Sequence, residues 1–191
     1  DLAKYLGVKH AIGVADGTMA LLISLMAAGI GEGDEVIAPS HTFVASAAAI
    51  HHSGAKPILA DCQEDHLIDP DSISKLITSK TKAIMPVQLN GRVADMDAIN
   101  KIATKHNLII IEDSCQALGA KYKDQFAGTF GLTGTFSFFP AKTLGCFGDG
   151  GAIVTNSDEV AEKIRMIRDH GRDPSDGKVK IFGFNSRLDN L

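Results

Sequence analysis

Cysteine is scarce in this chain and badly placed for a structural task. Cys62, Cys115 and Cys146 are odd in number, scattered, and without a CxxC pair. Neither a disulfide framework nor a thiolate zinc site is expected, and a reducing cytoplasm fits. None of the seven histidines belongs to an HExxH pattern. The adjacent His51 and His52 would point about 100° apart on a helix and could not easily share a metal, so they read as a polar helix end. No metal is expected. No uninterrupted apolar stretch is long enough to span a bilayer; the alanine-rich run at residues 42–50 is too short and ends in two histidines. The net charge of −4 is spread along the chain, with no basic run or basic–aromatic stripe, so neither membrane nor nucleic acid is an expected partner. Gly29, Gly31 and Gly33 lack GxGxxG spacing and follow a helix rather than a strand, which makes them a turn. There is no GxxxxGK[ST] loop and no GxSxG elbow.

What is present is an ordinary globular composition, 45% hydrophobic and 22% charged, over 191 residues, which suits one sizeable domain or a piece of a larger protein. Hydrophobic periodicity switches repeatedly between strand and helix. "HAIGVAD", "EVIAPS", "KPILAD", "KAIMPV", "LIIIED", "GTFSFF" and "GAIVTN" read as strands. "GTMALLISLMAAGI", "TFVASAAAIHHSG", "DPDSISKLI", "DMDAINKIATKHN" and "SDEVAEKIRMIRDHG" read as helices, with Asp69 capping and Pro70 opening the third and Gly171 ending the last. Continuous apolar strands alternating with helices predict one α/β domain with a largely parallel sheet covered on both faces. The opening "DLAKYLGV" reads as a helix already in progress, with no signal peptide visible. The closing "NSRLDNL" reads as the start of another helix, so both ends are expected to be cut points.

Ligands of such sheets gather where strands end and helices begin, and three stretches put polar residues there. In "ADGTMAL", Asp16, Gly17 and Thr18 precede a helix and suit a phosphate cradle; taken alone, the stretch reads better as an N-cap in which Thr18 satisfies its own helix. In "LIIIEDSCQALGA", a buried strand ends on Glu112 and Asp113, with Gln116 three residues on. A carboxylate there is costly unless it meets a cation or strong donors, so Asp113 either caps the next turn or pairs with a protonated ring nitrogen. In "FSFFPAKTLGCFGDGG", Ser137 and Lys142 lie five apart, before a glycine-rich loop that invites close approach of a ligand or backbone. Phe136, Phe138 and Phe139 crowd the region, and a lysine in partly apolar surroundings becomes an amine nucleophile. A phosphate cradle, a carboxylate for a ring nitrogen and a Schiff-base lysine together suit pyridoxal 5'-phosphate.

These motifs, with "GEGDEVIAPSHTFVASAAAI" and "FNSRLDNL", resemble in order and over essentially the whole chain the sugar aminotransferases of the DegT/DnrJ/EryC1/StrS family. The resemblance implies the aspartate-aminotransferase-like fold type I, a three-layer α/β/α domain with a mixed, mostly parallel sheet. Residues 1–191 then correspond to the pyridoxal-phosphate-binding large domain, without the C-terminal small domain. It also implies roles. Lys142 matches the lysine of the internal aldimine, Asp113 the partner of the pyridine nitrogen, and Gln116 the neighbour of the phenolic oxygen. Gly17, Thr18 and Ser137 match phosphate binders, and Phe43 the aromatic residue stacked on the ring. Asn185 matches a residue reaching the cofactor phosphate of the neighbouring subunit, which implies a homodimer with shared sites.

Lysine rather than histidine at position 142 points to transamination rather than the family's dehydratase branch. Gln88 and Asn90 stand where the family often has histidine and an aromatic residue, which bears on substrate contacts. The form of "PAKTLGCFGDGG" is closer to members acting on 3-keto sugars. The implied activity is transfer of an amino group, with glutamate as donor, to a nucleotide-linked keto-sugar in amino-sugar or polysaccharide biosynthesis. The alternatives are a catalytically idle or regulatory protein of the same fold, or another fold type I enzyme such as a lyase.

Overall fold

Alternation of apolar strands and amphipathic or fully apolar helices is realised almost element for element in the computed structural model, which describes residues 1–189. In chain order the elements are α1 (Leu2–Leu6), β1 (His10–Val14), α2 (Gly17–Ala27), β2 (Glu35–Pro39), α3 (Val44–His52), β3 (Lys56–Ala60), α4 (Pro70–Leu76), β4 (Thr81–Ile84), α5 (Met96–His106), β5 (Ile109–Asp113), β6 (Lys121–Tyr122), β7 (Gln125–Phe126), β8 (Thr133–Ser137), β9 (Gly151–Thr155) and α6 (Asp158–Arg168). Seven strands form one sheet in the order β1-β9-β8-β5-β4-β2-β3, and β6 and β7 pair as a separate short ribbon. β9 alone runs against its neighbours in the large sheet; every other pairing there is parallel. The expected mixed, mostly parallel sheet is therefore present.

Side chains alternate across a strand, so consecutive residues feed opposite layers. Ile37, Ile84 and Ile110 pack with Ile73 of α4 and Met96 and Ile99 of α5. Their neighbours Val36, Ala38, Ala83 and Ile111 turn the other way, onto Leu21 and Leu25 of α2 and Ala49 and Ile50 of α3. At the other end of the sheet Ile153 meets Ile23 of α2 and Ile164 of α6, while Val154 and Phe136 meet Leu6 of α1. The result is three layers, with α2, α3 and α6 on one face and α1, α4 and α5 on the other. Strands β2 and β9 are buried along their whole length, as a sheet covered on both sides demands. Pro57 lies in β3, the edge strand, where a missing N–H is tolerated.

Local signals set the helix ends. Asp69 caps α4 by accepting from the Asp71 N–H, with Pro70 in the first turn. α3 ends on His51 and His52. The last helix stops at Arg168, and Gly171, at φ 77°, follows three residues later with its N–H on the Met166 carbonyl. Two expectations change. Residues 186–189 are irregular rather than helical, and residues 190–191 of the closing motif lie outside the described residues. Phe136 is 1% exposed and packs in the α1 layer, so it does not crowd the lysine loop. Among the described residues no helix is long and apolar enough to cross a membrane, and no group of three His, Cys, Asp or Glu could hold a metal.

The polar centre of the sheet is Glu112. Its carboxylate has no exposed surface, yet it accepts from Gln88 Nε2 (3.0 Å) and Gly128 N (2.8 Å) at one oxygen, and from Phe130 N (2.6 Å) and Gly131 N (3.0 Å) at the other. Burial raises the Glu112 carboxyl above its ordinary value, and these four donors oppose that effect. Gln88 completes the knot by accepting from Ala94 N at 2.8 Å. The loop before β8 is thereby held so close that a Cβ on Gly134 would lie 2.0 Å from the Gly128 carbonyl oxygen. Glu112→Gln would set an amide N–H₂ against at least two of these donors. It should lower unfolding stability by about 2–4 kcal/mol, measured by urea denaturation of the purified protein; a change within error would remove Glu112 from this role.

Candidate active site

Strands β1, β2, β5 and β8 all deliver their C-terminal ends to the same edge of the sheet, and a cavity of about 550 Å³ opens there. Its wall is drawn from every stretch singled out in the sequence except the last: Gly17 and Thr18, Phe43, Asp113 and Gln116, Ser137 and Lys142. Residues more than a hundred positions apart meet because β1, β2, β5 and β8 point the same way, returned by helices up to β5 and by the segment carrying the β6–β7 ribbon before β8.

The β1–α2 turn differs from its expected form. Asp16, not Thr18, caps α2, accepting from Met19 N at 2.8 Å, while its carbonyl takes the Ala20 N–H. Thr18 is exposed and its hydroxyl is not spent on the cap. Because the first-turn N–H groups of a helix have no intrahelical acceptor, the Gly17 and Thr18 N–H groups remain for a cavity occupant. Gly17 is needed for close approach: a Cβ there would fall 2.8 Å from Ser137 Cβ and 3.0 Å from Cys115 Sγ. The positive end of α2, a glycine that admits β8, and the Ser137 hydroxyl are together the kind of group set that suits an anion.

Asp113 ends β5 and is 6% exposed. Its side chain does accept from the next turn, Cys115 N to Oδ1 at 3.2 Å, but its other oxygen takes a 2.7 Å hydrogen bond from Ser46 Oγ of α3. The turn contact expected of Asp113 is thus present, and its second oxygen has a partner, Ser46, that neither sequence reading supplied. Gln116 Oε1 accepts from Asn90 N at 3.1 Å, which leaves its Nε2 donors for the cavity. Lys142 is half-buried on the loop after β8, its backbone N–H bonded to the Phe139 carbonyl at 2.8 Å, with Phe139 and Ala141 beside it in the wall. Phe43 is 65% exposed at the start of α3 and overhangs the opening.

Asn185 stands apart. It is exposed, pairs with Asp169 across an isolated bridge, and does not line the cavity, although its neighbour Ser186 bonds Ala15 just before the cradle. Gln88 is wholly buried against Glu112 and cannot be a substrate contact; Asn90 is exposed at φ 54°. Sequence reasoning missed Thr42, Ser46, Cys115 and Asp149. The i, i+4 spacing of Thr42 and Ser46 at a helix start was the available signal.

A family model described as the DegT/DnrJ/EryC1/StrS aminotransferase family matches residues 1–191. The chain belongs to that family. It is 50% identical over 192 residues to a pleiotropic regulatory protein of Geobacillus stearothermophilus, covering 100% of this chain and 51% of the relative. It is 48% identical over 191 residues to UDP-2-acetamido-2-deoxy-3-oxo-D-glucuronate aminotransferase of Pseudomonas aeruginosa, covering 100% and 53%. The crystal structure of NtdA from Bacillus subtilis with bound cofactor PMP superposes with a TM-score of 0.92 at 40% identity, covering 99% of this chain and 43% of that one. The chain therefore spans about half the length of the relatives it matches. Its fold is that of the pyridoxal-phosphate-dependent aminotransferases of fold type I, and the cavity suits that cofactor: an anion cradle, a buried carboxylate and a lysine face one space.

Burial pushes the Cys115 thiol well above its ordinary value, although the residue keeps some surface at the cavity wall. The Asp113 carboxylate pushes it the same way, and the Lys142 ammonium opposes more weakly. A raised value means less thiolate at a given pH. Cys115 should therefore resist iodoacetamide at neutral pH and react only as the pH is raised, as read by peptide mass spectrometry; rapid labelling at pH 7 would contradict this environment.

Proposed function

We propose that the protein carrying this chain is a pyridoxal-phosphate-dependent aminotransferase. It moves an amino group from glutamate to a nucleotide-linked keto-sugar, in the cytoplasm, for amino-sugar or polysaccharide biosynthesis. The observation that carries the proposal is the convergence of Gly17, Asp113, Ser137 and Lys142 on one cavity. Residues 1–191 serve as its cofactor-binding large domain.

Bound pyridoxal phosphate supplies an electron sink for the carbon that loses a proton. The chain's residues do the rest. Gly17, Thr18 and Ser137 would hold the phosphate, Phe43 would cover the ring, and the Nε2 of Gln116 would donate to the ring's phenolic oxygen. Asp113 holds a proton on the ring nitrogen, where a buried charge pair is worth far more than in water. Lys142 would tether the cofactor through its amine, and the same amine would serve as the base and then the acid that moves the proton between carbons. Asn185 reaches across to a second subunit in a homodimer with shared sites. The wide exposure of Phe147 and Phe182, on the lysine loop and beside Asn185, supports a covering surface there.

A 3-keto sugar is the favoured acceptor. The similarity to an aminotransferase named for a 3-oxo-glucuronate supports it, as does the lysine loop, which has no Glu before Gly150 and Gly151. A regulatory role is favoured by the relative named as a regulatory protein, but an idle protein would have no need of Lys142, Asp113, Gln116 and Ser137 around one cavity. Turnover of sugar nucleotides, set against elimination from amino acids, separates the aminotransferase from a lyase.

Lys142→Ala should abolish both turnover and the absorbance band that pyridoxal phosphate gives with the purified protein, a band that borohydride fixes onto Lys142 in peptide mass maps. Normal transamination by this variant would sink the assignment. Asp113→Asn should fold and bind cofactor but lose at least about a hundredfold in kcat, since its neutral amide cannot hold the ring proton; near-wild-type kcat would take Asp113 out of the mechanism.

A further inference from the structure

We infer that Thr42 and Ser46 form a directed hydrogen-bond relay that positions Asp113, a task distinct from holding the cofactor. The inference rests on the aminotransferase reading above. Ser46 Oγ lies 2.7 Å from Asp113 Oδ2 and 2.8 Å from Thr42 Oγ1, and Ser46 has no exposed surface.

Counting protons gives the relay its direction. A carboxylate only accepts, so the single hydroxyl proton of Ser46 is committed to Asp113. Ser46 Oγ must then accept, and the proton on the Thr42–Ser46 bond comes from Thr42. Each hydroxyl polarises the next toward the carboxylate, and such chains strengthen in a dry interior. With Cys115 N on Oδ1, both oxygens of Asp113 are clamped, one from the turn after β5 and one from α3. Because α3 begins at Val44, just after Phe43, the element that carries the ring-covering aromatic also orients the carboxylate beneath it. Thr42 lines the cavity, and its proton is already spent, so it can meet a ligand only as an acceptor.

Ser46 and Thr42 are positioning residues, and their effect is read at the ring nitrogen. A clamped carboxylate keeps that nitrogen protonated, and the resulting positive charge discourages a second proton on the nitrogen shared with Lys142. Loosening the clamp should raise the pH at which the cofactor's absorbance band changes.

The test is a pH titration of that band in purified protein loaded with pyridoxal phosphate, for wild type, Ser46→Ala, Thr42→Val and Thr42→Ser. The melting temperature of each protein is measured without cofactor. The midpoint should rise by about half a pH unit or more in Ser46→Ala, by a smaller amount in Thr42→Val, and not at all in Thr42→Ser, which keeps the hydroxyl. Thr42 is only half-buried, so its variants test the relay even where Ser46→Ala fails to fold. Unchanged midpoints in Thr42→Val and in a folded Ser46→Ala, with a normal wild-type band, would overturn the relay and leave the aminotransferase reading standing. A wild-type protein with no band would overturn both.

Discussion

A strand that ends on two consecutive carboxylates must send them to opposite faces of its sheet, and β5 does this with Glu112 and Asp113. Glu112 turns toward Gln88 and the loop of residues 128–131, where four donors meet it away from the surface. Asp113 turns toward α3 and the cavity. The two side chains have the same chemistry and different tasks, because the pleat separates their surroundings. Glu112 pins the segment that leads into β8, and β8 brings Ser137 alongside Gly17. Asp113 stands in the cavity with one oxygen clamped from each side. Disturbing the first carboxylate would move the frame in which the second sits.

The cavity is a product of strand direction. Its wall comes from the ends of β1, β2, β5 and β8, which open to one edge because their crossovers, helical up to β5 and carrying the β6–β7 ribbon before β8, return each strand in the same sense. β9 reverses that sense, and the reversal delivers Gly150 and Gly151 beside the cradle. A Cβ on Gly151 would meet the Asp16 carbonyl at 2.6 Å. Of the glycines in "GDGG", Gly151 is required by backbone packing and Gly150 by the side chains of Leu188 and Cys146, while the lysine ahead of them faces the open space.

Much of this was legible from residue patterns. The strand–helix alternation, the Asp69–Pro70 helix start and the burial of "LIIIED" follow from periodicity and capping, which act over a few residues. That Asp113, Lys142, Ser137 and Gly17 belong together was legible only through the order of several motifs. The cap at Asp16 was misjudged because Asp and Thr are both good caps, and one side-chain hydrogen bond decides between them. Phe136 was misplaced because proximity in sequence to a site residue says nothing about which face of the sheet a side chain enters, and Gln88, linked to substrate by the resemblance, is buried against Glu112 instead. Neighbouring positions on a strand are in effect on opposite sides of the protein.

By itself, the sequence determined the α/β class, the element order and the residue types able to handle a phosphate, a ring nitrogen and an amine, since these depend on local periodicity and side-chain chemistry. Only the tertiary structure decided that Ser46 of α3 clamps Asp113, that Glu112 is a buried hub rather than a second cavity acid, and that Thr42 presents an acceptor to the cavity. Those outcomes depend on distances between residues far apart in the chain and on which face of a shared sheet each one occupies, and no short-range pattern encodes either.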